Sequence, residues 1–532
     1  MAFAALRERP TLGTVLADRA TAQPDRACLE CAGQVLSYAE VYEQARRIAA
    51  ALRALGIQKG DRVCLMLPNG LEFLLTWFGI AVLGAISVPI NTAYRGDLLE
   101  YLLNNSEASL LVVGEEFLDR IGFVQNGLSH LKRLVIVPAA PSGEARSELR
   151  FEASPFHSLL RVAPGPEGEV AEADPAVIMY TSGTTGPSKG AVLCHRGVLT
   201  FAGNHVRYCG ITEEDVYYTC LPLFHGIALM LTTVGGMLSG ARIVIGRRFS
   251  ASTFWEEIRQ AGATYAAITG SIAQILYKQP PSEEDRRHRL RVVYSIPAPA
   301  AIYEECERRF GITFIEAYGA TDGQIPVYMP LDQPRVGACG KVIRGFDLRI
   351  VDDRDEPLPP GHVGEIVYRA HEPNTMMLGY FKNPQATVEA MRNYWFHSGD
   401  LGYLDPDGYL HFVDRKKDSI RRRGENISSY EVEKVVNAHP VVLESAAVAV
   451  PSEVGEDEVK IVVILKPGEA LSPEDLIAYC EPRMAYFMIP RYVQFVESLP
   501  KTPNEKVQKY KLRESPLQGV WDREKAGYRL AR

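Results

Sequence analysis

Residues 71–90 set the tightest limit on how this chain can fold. The stretch is apolar almost throughout and nearly long enough to cross a bilayer. Glu72, Gly79 and Gly84 interrupt it, basic anchors are missing from its flanks, and Pro68, Asn69 and Gly70 ahead of it read as a helix start. It is therefore read as a helix from Leu71 buried in a large core, followed by a strand at 86–90. Upstream, 38–55 carries apolar residues at helical spacing (Val41, Ala45, Ile48, Leu52), and 61–67 is a short buried strand. Strand–helix–strand alternation of this kind predicts an α/β fold of mostly parallel sheets covered by helices. Further strands are expected at 110–113, 134–137, 177–180, 241–245 and 292–296, and the polar, Pro- and Gly-rich segment 141–174 reads as a loose connection.

A chain of 532 residues is too long for one ordinary core. From about residue 340 the pattern changes to short strands between Gly, Asp and Pro turns (346–351, 364–368, 402–413), a small β-rich subdomain. A large N-terminal domain is expected over 1–413, a hinge at 414–418 and a small mobile α+β domain over 419–532. In the last, helices are expected at 429–438 and 472–483, and strands at 445–450 and 459–465. The charge run 414–423 (DRKKDSIRRR) reads as a solvated linker. A net charge of −7 carries no basic footprint for nucleic acid. Cys28 and Cys31 form a lone CxxC without a second pair, read as strand residues entering a hairpin turn and not as a zinc site. Reduced thiols, no signal-peptide pattern and no membrane span place the expected protein in the cytoplasm.

The chemistry concentrates at 180–190 (YTSGTTGPSKG), directly after the strand expected at 177–180. Glycines let a backbone approach an anion closely. Hydroxyls and successive N–H groups donate to phosphate oxygens, and Lys189 adds a cation. The order is not that of a Walker A loop.

This loop resembles the signature of the adenylate-forming enzymes: acyl-CoA synthetases, luciferases and peptide-synthetase adenylation domains. Other blocks agree, in the family's order: 221–226 (LPLFHG), 316–322 (EAYGATD), 395–400 (WFHSGD), 414–418 (DRKKD), 424–431 (GENISSYE) and 499–506 (LPKTPNEK). Within the family the chain is most similar to fatty-acid and crotonobetaine/carnitine-type acyl-CoA ligases. The resemblance implies an AMP-forming acid–thiol ligase. A carboxylate attacks the α-phosphate of ATP, the small domain rotates, and the thiol of CoA attacks the acyl-adenylate. It implies ATP (or acyl-AMP), CoA and Mg²⁺ as ligands and a small carboxylic acid as substrate; dimers occur in related enzymes, and the sequence leaves a homodimer open.

Roles follow residue by residue from the resemblance. Thr181, Ser182, Gly183, Thr184, Thr185 and Lys189 cradle phosphate. Ala298, Pro299, Ala317, Tyr318 and Gly319 bind the nucleotide, with Tyr318 stacked on adenine. Thr321 bonds the α-phosphate, Asp322 is the metal ligand, Asp400 accepts from both ribose hydroxyls, and Arg415 contacts phosphate or ribose. Lys506 bridges the carboxylate and the α-phosphate, and Lys417 is the hinge. His225 gates an acyl pocket that also includes Gly270, Ser271, Ile296 and Gly319, and Gly424 leaves room for the pantetheine arm.

The match breaks in three places. The adenine block normally ends in Glu, and here in Asp322, one methylene shorter. Ile296 and Pro297 stand where the family has two glycines, and Glu505 stands where a glycine commonly precedes the lysine. Ile296 and Pro297 are read as a reshaped acyl pocket. The alternative is a transfer-only enzyme, which takes a preformed acyl-adenylate from a partner ligase and passes the acyl group to CoA in natural-product biosynthesis.

Overall fold

The computed structural model describes residues 10–139, 149–181, 188–296, 298, 302–415, 419–452, 455–500, 507 and 509–530, with the side chains of 414, 415, 419, 426, 430 and 510 outside that description. The apolar stretch is a helix, Leu71–Leu83, that starts after Gly70 and stops at a left-handed Gly84. Helix Tyr38–Ala54 packs against it, as does helix Leu12–Ala22. Every side chain from Phe73 to Leu83 is buried, and each large one contributes about 1.5–3 kcal/mol of transfer free energy. The chain then enters strand Ile86–Pro89. Among the described residues no helix is long and apolar enough to cross a membrane.

That strand sits in an eight-stranded sheet. Its order is Gly379–Tyr380, Lys189–Cys194, Pro175–Thr181, Ile86–Pro89, Arg62–Met66, Leu110–Gly114, Arg133–Val137, Glu152–Pro155. The pairs from Pro175–Thr181 onward are parallel. Lys189–Cys194 and Gly379–Tyr380 join antiparallel. The segment 141–174 is therefore not merely a loose connection: it supplies strand Glu152–Pro155 and the 3₁₀ turn Phe156–Arg161.

A second sheet of seven strands runs Thr313–Ile315, Val292–Ser295, Tyr265–Ile268, Val216–Thr219, Arg242–Ile245, Ala27–Cys31, Gln34–Ser37, with only the last pair antiparallel. Cys28 and Cys31 are buried free thiols in its terminal hairpin, which turns at Ala32 and Gly33 with φ of 50° and 80°, the geometry of a two-residue hairpin turn.

The β-rich region is a seven-stranded antiparallel sheet. Residues 402–413, expected as one strand, divide between Phe396–Leu404 and Tyr409–Arg415. The Asp405 carboxylate accepts from the Asp407 and Tyr409 amides at 3.0 and 2.9 Å and closes the turn between them.

The small C-terminal sheet comprises Val442–Pro451, Asp457–Leu465, Tyr492–Phe495 and Trp521–Asp522, flanked by helices Ser429–Asn437 and Pro473–Cys480. The charge run 414–423 is not wholly a solvated linker. Ser419–Arg422 pairs with Glu425–Ser428 in a hairpin. Arg422 is 1% exposed; it donates to the carbonyls of Phe487 and Ile489 and ion-pairs with Glu458 at 2.6 Å. A guanidinium in a charge run was buried because carbonyls and a carboxylate receive it.

Candidate active site

The phosphate loop joins two paired strands, so its ends are fixed. Thr181 and Lys189 are register partners, and Thr181 Oγ1 donates to the Lys189 carbonyl at 3.3 Å. The Lys189 ammonium stands over the Tyr380 ring, 5.1 Å from its centroid. Residues 182–187, with Ser182, Gly183, Thr184 and Thr185, lie outside the described residues, as do Pro297, Pro299, Lys417 and Lys506.

Thr321 and Asp322 occupy a turn between strands Ala317–Ala320 and Gln324–Tyr328. The Gly323 amide donates to the Ala320 carbonyl, and buried Gln324 ties the turn to the carbonyls of Gly197 and Thr375. Asp322 is 8% exposed; its Oδ2 accepts from the Tyr380 hydroxyl at 2.5 Å. Gly319 meets a packing demand: an added Cβ would fall 2.2 Å from the Gln324 carbonyl oxygen and 2.6 Å from the Ile325 Cα. Ala298 is brought beside this block by half-buried Glu316, which accepts from its backbone amide and whose own carboxyl is pushed up by desolvation to about 8.

Asp400 lies on strand Phe396–Leu404, in register with Arg415. Its Oδ2 accepts from the Tyr318 hydroxyl at 2.7 Å, so the residue assigned to adenine is tied to the one assigned to ribose. Phe412, half exposed, lies 6.4 Å from the Tyr318 ring.

The acyl-gate block closes the ring. Around Gly226 an added Cβ would touch Thr321 Oγ1 at 3.5 Å. Ser271 and its helix N-cap Thr269 are buried and share a 2.8 Å hydroxyl contact. Ile296 is half-buried and packs against the large core.

The small domain reaches this place. His225 Nε2 lies 2.9 Å from Glu425 Oε1, and Asn91 Nδ2 donates to Glu425 Oε2 at 3.4 Å. Gly424 has φ +81°, and a Cβ there would stand 3.1 Å from Thr269 Cγ2. The Arg421 guanidinium donates to the Ile296 carbonyl at 3.3 Å. A second bridge joins the end of the phosphate loop: the Ser188 amide and hydroxyl both donate to Glu431 Oε1, and burial pushes the Glu431 carboxyl up to about 7.

Four of these residues carried no assigned role in the sequence. Glu425 and Glu431 sit inside the 424–431 block, where two carboxylates beside a tunnel glycine were the available signal. Arg421 was hidden in the charge run, and Tyr380 on a two-residue strand had no periodicity to mark it.

For a divalent cation, the described residues hold no cluster of three or more His, Cys, Asp or Glu side chains. A single buried carboxylate beside hydroxyls and a phosphate loop fits Mg²⁺, which is commonly held by one or two carboxylates together with substrate phosphates.

A large domain of covered sheets carries these clustered blocks, and hairpin residues of a small C-terminal domain contact them at His225, Thr269 and Ile296. Two family models match the chain: AMP-binding enzyme over residues 16–381, and AMP-binding enzyme C-terminal domain over 431–506. The chain belongs to the AMP-binding enzyme family, whose members form adenylates. It is 33% identical over 478 residues to crotonobetaine/carnitine–CoA ligase of Escherichia coli, covering 88% of this chain and 92% of the relative. A product-analogue-bound double mutant of o-succinylbenzoate CoA synthetase from Bacillus subtilis superposes with a TM-score of 0.82 at 25% identity, over 94% of this chain and 98% of that one. ATP-bound MatB from Rhodopseudomonas palustris gives 0.69 at 27%, over 95% and 98%.

Proposed function

We propose that this protein is an AMP-forming acyl-CoA ligase that converts a carboxylic acid to its CoA thioester through an acyl-adenylate. The observation that carries the reading is the docked hairpin, which brings Gly424 and Glu425 to Thr269 and His225. A second domain laid across an acyl pocket, with a glycine at the point of contact, gives a long, thin thiol a way in. The relative matched over 88% of the chain is named a CoA ligase, which favours the full reaction over the transfer-only alternative.

In the first half-reaction an oxygen of the acid forms a bond to the α-phosphorus and pyrophosphate leaves. Thr181, Lys189 and Thr321 orient the phosphates, Asp400 and Tyr318 seat the nucleoside, and Lys506 neutralises the developing charge. Asp322 would hold Mg²⁺, which would supply charge neutralisation at the phosphates when bound. In the second, the CoA thiol gives up its proton, its sulfur bonds the acyl carbonyl carbon, and AMP leaves. The docked arrangement serves this step: both Glu425 oxygens are taken, which fixes the His225 ring at the gate. Between the two steps, rotation about Lys417 exchanges the Lys506 segment for this hairpin. The nine buried free thiols fit a reducing cytoplasm.

The test pairs two assays on a panel of apolar acids: pyrophosphate exchange with ATP, and thioester formation from synthetic acyl-adenylate and CoA. Activity in both is expected. Thioester formation without exchange across the panel sinks the full-ligase reading in favour of transfer alone.

The Glu431 bridge gives a pH prediction. Its carboxyl has a raised pKa, about 7 against an ordinary 4.5, only where docking buries it against Ser188. A raised pKa stabilises the docked form fully below the ordinary value, and that stabilisation is lost as pH rises to about 7. The transfer step is therefore expected to lose a docking contribution between pH 4.5 and 7. Glu431→Gln, which still accepts from Ser188, should flatten that part of the profile measured with supplied adenylate. An unchanged profile refutes the assignment.

A further inference from the structure

Tyr380 touches both charged groups that the proposed first half-reaction needs, and nothing in the reaction scheme uses it. Its hydroxyl donates to Asp322 Oδ2 at 2.5 Å, and its ring carries the Lys189 ammonium 5.1 Å from the centroid. The side chain is not free to drift. Tyr380 lies on the two-residue strand Gly379–Tyr380, paired with Val192 and Ala191 on the exit strand of the phosphate loop. Its amide donates to Thr387 Oγ1 at 2.9 Å, and the next amide, of Phe381, donates to the Gly190 carbonyl at 2.7 Å. Helix Pro384–Ala390, which carries Thr387, is capped by Asn383, so the loop that bears Tyr380 is held at both ends.

We propose that Tyr380 is the positioning residue for adenylation: its hydroxyl fixes the rotamer of the metal-binding Asp322 carboxylate, and its ring seats Lys189 for the phosphates. The inference rests on the ligase reading above. A carboxylate on a single methylene has little reach, and Mg²⁺ tolerates little distortion of its octahedral shell. A short side chain therefore needs its one productive orientation imposed. A hydroxyl on Oδ2 does that and directs the carboxylate's other oxygen to the cation. Partners that orient a metal ligand typically carry 10- to 100-fold in metal affinity or activity. The ring is a separate device: an ammonium over a tyrosine face is held without neutralising it, so Lys189 keeps its charge for phosphate.

The two parts come apart in two variants of the full-length protein. Tyr380→Phe removes the hydroxyl and keeps the ring; Tyr380→Leu removes both. Binding of Mn²⁺ in the presence of α,β-methylene-ATP, followed by the paramagnetic resonance of free Mn²⁺, reads the metal without turnover. Calorimetric binding of the same analogue in EDTA reads the phosphate contacts alone. Tyr380→Phe should weaken Mn²⁺ binding about 10- to 100-fold and leave metal-free analogue binding unchanged, whereas Tyr380→Leu should weaken both. Thioester formation from supplied acyl-adenylate, which involves neither triphosphate nor metal, should stay within about twofold of wild type in Tyr380→Phe. Superimposable Mn²⁺ curves for Tyr380→Phe and wild type overturn the inference and leave the ligase reading standing. Loss of thioester formation alongside metal binding overturns it as well, since the tyrosine then only holds the fold. A wild-type protein that binds the analogue equally with and without metal overturns the inference and the ATP-dependent reading together.

Discussion

Asp322→Ala is expected to lower pyrophosphate exchange by about 10²–10³-fold, the usual cost of removing one preorganised group aimed at developing charge. Thioester formation from supplied acyl-adenylate should stay within about twofold. The asymmetry follows from geometry. Asp322 lies in the Ala320–Gly323 turn beside Thr321, buried to 8% exposure, where a cation's attraction is weakly screened. Its services end when pyrophosphate leaves. Asp322→Asn separates charge from packing, because an amide oxygen still accepts from Tyr380 while the negative charge is gone; it should fall with alanine. Asp322→Glu restores the charge but adds a methylene against a Tyr380 hydroxyl already at 2.5 Å, so it should lie between the two and wild type. Equal losses in exchange and transfer would show that Asp322 holds the site together and does not serve the triphosphate.

How far the sequence anticipated this protein depends on the kind of signal. The Leu71–Leu83 helix and the parallel strands were legible because burial on both faces demands unbroken apolar runs. The family match was legible because the glycines and hydroxyls of 180–190 are contiguous. Arg422 was misjudged for the opposite reason: one residue in a charge run looks like its neighbours, and its burial depends on the carbonyls of Phe487 and Ile489, remote in sequence. Strands Phe396–Leu404 and Tyr409–Arg415 were merged across 405–408 (DPDG), a polar turn whose closure lies in side-chain–backbone bonds. Tyr380 had no local signal, and Glu425, though inside the 424–431 block, carried no assigned role, for a further reason. Their importance is a relation between elements: Tyr380 to Asp322 across 58 positions, Glu425 to His225 across 200. No local pattern encodes such a pair.

Gly424→Val should cut thioester formation from supplied adenylate by about 10²-fold or more while leaving pyrophosphate exchange within about threefold. Two costs add. The turn of the Ser419–Arg422/Glu425–Ser428 hairpin has positive φ at both central residues, 54° at Arg423 and 81° at Gly424. The left-handed conformation costs an L-residue about 1–2 kcal/mol, and a branched Cβ more. An added Cβ also stands 3.1 Å from Thr269 Cγ2, and the valine methyls extend further, so the hairpin must withdraw and Glu425 leaves His225. Exchange is spared because it belongs to the arrangement in which this hairpin is elsewhere. Gly424→Ala, with the backbone cost and a single close contact, should lose about tenfold, the equivalent of 1.4 kcal/mol. Thr269→Ser tests the steric share directly: serine still caps helix Gly270–Tyr277 and lacks the methyl that the new Cβ meets. In the Gly424→Ala background it should recover part of the lost transfer rate and leave the backbone share unrecovered. If Thr269→Ser recovers nothing, the contact seen between the two domains is not the one that transfer uses.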